Sequence, residues 1–452
     1  MKGNMTQGNI PKHIIGFAVP MIFGNLFQLT YNAVDSIIVG RYAGKEALAA
    51  IGTSNPIMNI VIFFIIGICL GASVLMSEFF GAGNIVKLKR EISTTMIAGS
   101  LFTILITVIG FVSAPLILKL IQTPDEINDM ATSYLRIIFM GLIFTFIYNV
   151  YASALRSVGD SKTPIYFLIT SSVLNGCLDM IFVAGLNKGV IGAGLATVIA
   201  ESVSSILCII YVYLKVPLIR LKASEFIFDK ELIGKTVSYS WATAMQQTVL
   251  QLGKVFIQGA VNPLGVDSIA AFNAVNRVDD FAFIPQQSIA QAMTVFIAQN
   301  RGAHQEERIK ESFKKTLLIE FGYWLILMVT VLLGSKMVMR LFVTDEANTV
   351  VVLGTTYLKY MAFFYILPAA TNCIQGFFRG MGIMKITFYA TSIQMIFRVL
   401  FAYLFIRFAG FTGIAYACFG GWIAMLLYEV PVFVKIWYRV KKEEHPIIWT
   451  NQ

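Results

Sequence analysis

Apolar runs recur along this chain, each about as long as the roughly 20 residues a helix needs to cross a hydrocarbon core, with short polar segments between them. The pattern predicts twelve helical spans. Six fall near residues 14–38, 51–79, 93–118, 132–155, 163–186 and 191–214, and six more near 237–262, 274–299, 312–336, 352–378, 384–408 and 411–437. The longest charged connection, 215–235, separates the two sets and reads as an amphipathic cytoplasmic linker. The expected organisation is therefore a six-helix lobe at 1–214, a linker at 215–236, a second lobe at 237–437 and a cytoplasmic tail at 438–452.

The halves repeat at an offset of 221 to 223 residues. "ALAAIG" (47–52) aligns with "SIAAFN" (268–273), and "SEFFGAGN" (77–84) with "AQNRGAHQ" (298–305). "LRSVGDSK" (155–162) aligns with "FRGMGIMK" (378–385), and "GAGLA" (192–196) with "GIAYA" (413–417). Six spans per half is an even number, so the repeats insert in parallel, related by a pseudo-twofold axis along the membrane normal with a central site between them. The fold class is an all-α integral membrane protein of two six-helix repeats.

Charge gives this map a sidedness. One side of the predicted spans carries 23 of the 35 lysines and arginines and the other seven. Basic loops stay cytoplasmic, which places both termini inside. Over 452 residues, 57% are hydrophobic and 13% charged, against about 25% charged in soluble domains. The net charge of +10 lies in short loops between spans, so no nucleic-acid partner is expected. The polar start "MKGNMTQGNIPKH" shows no cleavable signal peptide. Cys69, Cys177, Cys208, Cys373 and Cys418 all fall in apolar runs and read as reduced packing residues.

Polar residues inside the spans are the candidates for chemistry. Gln28, Tyr31, Asn32 and Asp35 recur at i, i+3, i+4 and i+7 on one stripe of the first span. Lipid cannot satisfy that stripe, which must face the bundle interior or a watery cavity. A carboxylate at that depth costs about 2.5–3.5 kcal/mol on insertion scales. Pro20 in the same span predicts a kink. Asn175 and Asp179 share a face of the fifth span at i, i+4. With Asn149 and the Thr197 hydroxyl converging on Asp35 and Asp179, the oxygens approach a shell for a small hard cation. Such a site suits one proton or one sodium ion, and the residues alone do not choose between them; a packing role is the competing reading. Glu201, near the middle of the sixth span, is a further candidate for this network. At the repeat offset, Asn175 corresponds to Arg398 and Asp179 to Ala402. In the eighth span, Asp279 and Asp280 beside Arg277 predict an internal ion pair. Pro285 predicts a break there, with Gln286 and Gln287 lining the cavity.

The chain resembles the multidrug and toxic compound extrusion family of cation-coupled exporters, through "YNAVDSIIVGRYAGKEALAAIG", the "FFGAG" and "QNRGA" loops, "LRSVGDSKTP" and "GAGLAT". The resemblance implies two lobes around a V-shaped cavity open alternately inward and outward in a bacterial plasma membrane. It implies amphiphilic organic cations as substrates, exchanged for protons or sodium, with no cofactor and a monomeric state. Within the family the chain is most similar to a bacterial branch with coupling residues in the N-terminal half. Asp35, Asn175 and Asp179 match that branch's acidic and amide positions. Gln28, Tyr31, Tyr134, Asn149 and Thr197 match further cavity positions, and Ala152 departs from an asparagine. The seventh and tenth spans offer Gln251, Lys254, Gln258, Asn372 and Gln375 where the other branch carries acids. Gln258 and Gln286 are the cavity candidates of the second half.

Rival readings fare less well. A flippase for lipid-linked sugars would favour a strongly basic cavity and commonly extra spans. An integral-membrane enzyme finds no support in His13, His304 and His445, which lie in predicted cytoplasmic segments without ligand spacing. No Ser-His-Asp, HExxH or P-loop pattern is present.

Overall fold

The computed structural model describes residues 3–342 and 348–441. The first lobe comprises α1 (Ile10–Tyr42), α2 (Gly44–Gly81), α3 (Ile85–Leu120), α4 (Asp125–Ser157), α5 (Thr163–Asp179) and α6 (Gly189–Lys215). The second comprises α7 (Ile233–Val261), α8 (Val266–Gly302), α9 (Glu306–Phe342), α10 (Asn348–Phe364), α11 (Ile366–Gly380), α12 (Met384–Ala409) and α13 (Gly413–Lys441). No strand occurs among the described residues. Part of the predicted tail, 442–452, lies outside them. Helix starts carry their own caps: the Asn9 and Asn84 side chains accept the backbone N–H groups of Lys12 and Lys87, each at 3.0 Å.

These helices make twelve spans. Among the described residues nine helical stretches are long and apolar enough to cross a membrane, the run Met384–Tyr438 holding both α12 and α13. The tenth span, expected as one helix, is α10 and α11 bent by 47° at Tyr365. Pro368 explains the weak point, since it lacks the N–H that would bond to the Phe364 carbonyl one turn back. Pro285 was expected to break α8, yet that helix runs through it from Val266 to Gly302. α7 is not among the stretches of highest apolarity; Gln246, Gln247, Gln251, Lys254 and Gln258 interrupt it.

The repeat is visible in backbone hydrogen bonds. After α2 the chain turns with Asn84 N–H donating to Phe79 O at 2.9 Å; after α8, Gln305 N–H donates to Asn300 O at 2.8 Å. Both residue pairs are 221 apart, and the left-handed position of the turn is Gly83 in one repeat and His304 in the other. The α4–α5 and α11–α12 turns match likewise, with Asp160 N–H to Leu155 O at 3.0 Å and Ile383 N–H to Phe378 O at 2.8 Å.

The lobes join on the face where α1 begins and α13 ends, called here the terminal face. α2 lies against α7 through residues without bulk. A Cβ at Gly67 would sit 2.4 Å from Ala244 Cα, and one at Gly71 2.6 Å from Ser240 Cα. Thr243 Oγ1 donates to Gly67 O at 2.6 Å and Ser240 Oγ to Ile68 O at 2.9 Å. α1 meets α8 through Ile14, Phe17 and Met21 on Ile289, Ala292 and Phe296. Further along α1, Asn25 Nδ2 reaches Ser288 Oγ at 3.5 Å.

The first residues of the chain strap this junction. Met5 is buried; its N–H donates to Gln299 Oε1 at 2.9 Å, and its carbonyl accepts from Arg308 Nη2 at 2.9 Å. Gln299 Nε2 in turn donates to Ser157 O, at the end of α4, at 2.8 Å. One strand of backbone thus touches both lobes. The linker 216–232 contains a single 3-10 turn (Ala223–Glu225) and is sewn to α3. Ile227 N–H donates to Ser93 Oγ at 2.8 Å, and Lys89 Nζ to Glu225 Oε1 at 2.9 Å. The backbone N–H of Lys222, then the Lys89 ammonium, hold the Glu225 carboxyl below its usual range.

Candidate functional site

Three helices of the first lobe build one acidic centre. α1 supplies Tyr31 and Asp35, α5 supplies Asn175 and Asp179, and α4 supplies Tyr134, while Glu201 on α6 bonds to Thr145 on α4. The Asp35 and Asp179 carboxyl groups lie within hydrogen-bonding reach of each other. Asp179 is fully buried, and its Oδ2 accepts from Asn175 Nδ2 at 3.1 Å. Tyr31 packs over α5 where Gly176 leaves room; a Cβ there would lie 3.9 Å from the ring. Tyr31 and Tyr134 each stand close enough to Asp35, Asp179 and Glu201 to feel their charge.

Immediately after Asp179 the fifth span widens into a π-helical turn, Met180–Gly185, in which Leu186 N–H reaches back to Ile181 O at 2.8 Å. Such turns interrupt the regular ladder and recur at functional sites. Three buried oxygens of the centre have no partner in the protein: Tyr31 Oη, Asp35 Oδ1 and Asp179 Oδ1. Buried polar atoms are normally satisfied. Oxygens from three residues on two helices are thus left without donors around a carboxylate pair, an arrangement chemically able to accept a small cation or a proton.

The remaining sequence candidates are placed as follows. Asn149 Nδ2 donates to Thr145 O at 2.8 Å and Thr197 Oγ1 to Ala193 O at 3.1 Å, so both bond within their own helices and not to the carboxylates. Gln28 is exposed on α1, and the Asn32 side chain lies outside the described residues. Gln258 bonds to Asn262 Oδ1 at 2.9 Å, far from the acidic centre in sequence and lobe. Gln286, expected on a cavity wall, is instead sealed in the second lobe, where Nε2 donates to Tyr365 O at 3.1 Å. Among the described residues no three His, Cys, Asp or Glu side chains converge as a metal site. A sodium ion exchanged at Asp35, Asp179 and Asn175 would rely on two carboxylates and amide or hydroxyl oxygen. The expected Asp279–Arg277 pair does not form. Asp279 is buried and accepts from Tyr357 Oη at 3.0 Å and Tyr365 Oη at 2.5 Å, while Arg277 is exposed and Asp280 pairs with Lys254 at 3.8 Å. Cys177 also departs from expectation, being exposed on α5.

Sequence reasoning passed over two buried acids of the second lobe. Glu429 Oε1 accepts from Gln375 Nε2 at 2.8 Å in a chain that continues to Gln246, whereas neither oxygen of Glu320 has a partner. Their signal was present, since both are single acids in apolar runs.

Known proteins place this architecture. The family model MatE matches residues 20–181 and 242–404, one segment in each lobe. The chain is 28% identical over 385 residues to "Probable multidrug resistance protein YpnP" of Bacillus subtilis (strain 168), covering 84% of this chain and 85% of that one. It is 30% identical over 345 residues to "Probable multidrug resistance protein YoeA" of the same organism, covering 73% of each. Among solved structures it is similar to an outward-facing multidrug resistance MATE family transporter, with a TM-score of 0.89 and 22% identity over 98% of this chain and 99% of that one. With two matched repeats, twelve spans and a joined terminal face, the chain belongs to the MatE family, the multidrug and toxic compound extrusion transporters.

Proposed function

We propose that this protein is a secondary antiporter that exports amphiphilic organic cations in exchange for protons or sodium ions. The carrying observation is the trio of unpartnered buried oxygens, Tyr31 Oη, Asp35 Oδ1 and Asp179 Oδ1, in a carboxylate pair with no lysine or arginine bonded to it among the described residues. Two facing carboxyls in a low-dielectric lobe cannot both stay ionised without a cation between them. The names of the relatives, multidrug resistance proteins, support drug-like cargo. The basic terminal face, with 23 lysines and arginines against seven, supports a bacterial plasma-membrane protein with both termini in the cytoplasm.

The cycle follows from competition for one negative region. With the terminal face closed, as here, a proton or sodium ion enters from outside and neutralises the Asp35–Asp179 pair. The organic cation loses its electrostatic partner and leaves outward. Opening of the terminal face then releases the small ion inward and restores affinity for cargo. Ion and cargo shift the equilibrium because each prefers a different state. The chain's residues supply binding and exclusion, not bond-making, so it is a transporter and not an enzyme.

The test is efflux of a fluorescent organic cation from vesicles under separately imposed proton and sodium gradients. Asp35→Asn and Asp179→Asn are expected to reduce gradient-driven efflux at least tenfold while leaving the protein folded. Wild-type gradient dependence in both variants would remove the proposed site.

A further inference from the structure

We propose that Glu91 is a gating proton site at the terminal face, separate from the exchange site. It takes up a cytoplasmic proton as the lobes close there and returns it as they open. This rests on the alternating opening in the cycle above, not on which ion the Asp35–Asp179 pair carries.

Glu91 lies on α3 just ahead of the predicted third span and is fully buried. Its partner belongs to the other lobe: Thr236 Oγ1, in the first turn of α7, stands 2.9 Å from both Glu91 carboxyl oxygens. The residues that follow Glu91 fasten the linker leading into that helix. Ser93 Oγ donates to Ile227 O at 3.0 Å, and Thr94 Oγ1 accepts from the Asp229 N–H at 3.1 Å. One turn of α3 therefore grips both the linker and the start of the second lobe, and Glu91 is the acid in that grip.

Hydrogen counting selects its form. Thr236 Oγ1 carries one hydrogen and has three acceptors in reach, the two Glu91 oxygens and Leu232 O at 3.0 Å. The other partner, Thr95 Oγ1, is 3.3 Å from Glu91 Oε1. An ionised carboxylate would be sealed between these two neutral hydroxyls. A protonated one donates from Oε2 to Thr236 Oγ1, leaves the Thr236 hydrogen for Leu232 O, and keeps Oε1 to accept from Thr95. Every hydrogen then has an acceptor.

No neighbouring cation offsets ionisation. Among the described residues no basic side chain pairs with Glu91. Lys89 and Arg90 beside it are taken by the linker acids Glu225 and Asp229, and beyond those the linker carries Lys230 and Glu231. Lys235 of α7 is exposed. α2 and α4 meet this end of α3 through an apolar cluster of Leu88 and Ile92 with Phe80 and Tyr151. The charges those two helices carry here are Glu78, bonded to Arg301, and Arg156. A buried carboxylate without a cation is costly, so closure favours the protonated acid. When α3 and α7 part, water reaches the carboxyl and it ionises. Acid on the cytoplasmic side therefore holds the terminal face shut, and rising pH opens it, by at most about tenfold per pH unit for one proton.

The test uses the full-length protein in sodium-free lipid nanodiscs, spin-labelled at the terminal ends of α2 and α8. Asp35→Asn and Asp179→Asn are built in to silence the exchange pair, and label distances give the open-to-closed ratio across a pH series. In this parent the ratio is expected to climb with pH, by up to about tenfold per unit. Glu91→Gln keeps a neutral donor against Thr236 and is expected to stay closed with a flat profile. Glu91→Asp withdraws the acid by one methylene and displaces the midpoint, while Thr236→Val removes the acceptor and raises the open ratio several-fold at acid pH. A flat profile in the parent, or the parent's profile in Glu91→Gln, overturns the proposal. Should Glu91→Gln not fold, profiles of Glu91→Asp and Thr236→Val identical to the parent's overturn it. A terminal face that opens without any pH dependence removes Glu91 alone; one that stays shut under every condition removes the alternating cycle with it. Failure of the exchange site would appear elsewhere, as full gradient-driven efflux in Asp35→Asn, and would leave this titration unchanged.

Discussion

Gly81 and Gly302 occupy equivalent places in the two repeats, and each lies against the other lobe's backbone at the terminal face. A Cβ at Gly81 would stand 1.9 Å from the Gln299 carbonyl oxygen, and one at Gly302 2.0 Å from the Glu78 carbonyl oxygen. Gln299 and Glu78 are themselves repeat equivalents, so the pseudo-twofold axis passes between these contacts. Beside them Arg301 bonds to Glu78 across the same junction. Contact this close is available only to glycine and holds the terminal face shut.

A methyl group at either position must therefore prise the lobes apart. Gly81→Ala is expected to cost the closed state about 1–3 kcal/mol, the usual range for overpacking, which moves a two-state balance about five- to 150-fold toward terminal-face opening. Distances between spin labels on the terminal ends of α2 and α8 check this directly. An unchanged distance distribution would mean that the junction yields without opening.

The amino-terminal strap works in the same direction with weaker bonds. Arg308 donates to Met5 O at 2.9 Å, to Gly8 O at 3.0 Å and to Asn300 Oδ1 at 3.1 Å. Arg308→Ala removes all three, at about 0.5–1.5 kcal/mol for each typical bond before solvent competition. Amide exchange at Met5 is expected to quicken at least tenfold, with the fluorescent-cation assay showing faster inward opening. Exchange at the wild-type rate would show that Gln299 and Asn300 anchor the strap without Arg308.

What the sequence could and could not reveal follows from where each signal resides. Asp35 and Asp179 stood out because a carboxylate in an apolar run is costly wherever the helix points, and their i, i+4 and i, i+7 companions fixed the face. The repeat was legible because turns need particular backbone geometry, and "GAGN" and "GAHQ" preserve it. The Thr145–Glu201 bond was not legible, since it depends on how α4 and α6 rotate against each other. Proline alone misled. α8 absorbs Pro285, whereas the tenth span breaks ahead of Pro368. The difference lies in tertiary partners: at the break, Asp279 holds the Tyr365 hydroxyl and Gln286 its carbonyl. Asp279 drew attention to its neighbour Arg277, but helical geometry sends residues two apart to different faces.

Two tyrosine-to-phenylalanine changes separate structure from coupling, because their hydroxyls are in opposite situations. Tyr365 Oη donates to buried Asp279, so Tyr365→Phe deprives an acid of a donor and is expected to destabilise the second lobe by about 1.5–3 kcal/mol, the range for bonds to charged groups. Tyr31 Oη is buried with no partner in the protein. Deleting an unsatisfied hydroxyl relieves a desolvation cost, so Tyr31→Phe is expected to leave the unfolding midpoint unchanged or slightly raised. If that hydroxyl serves the exchanged ion, the same variant loses ion-driven efflux several-fold. Thermal unfolding in detergent and gradient-driven efflux in vesicles, measured on both variants, therefore give opposite patterns. A Tyr31→Phe protein that melts early but transports normally would return this oxygen to a structural role and leave the Asp35–Asp179 pair to bind the ion without it.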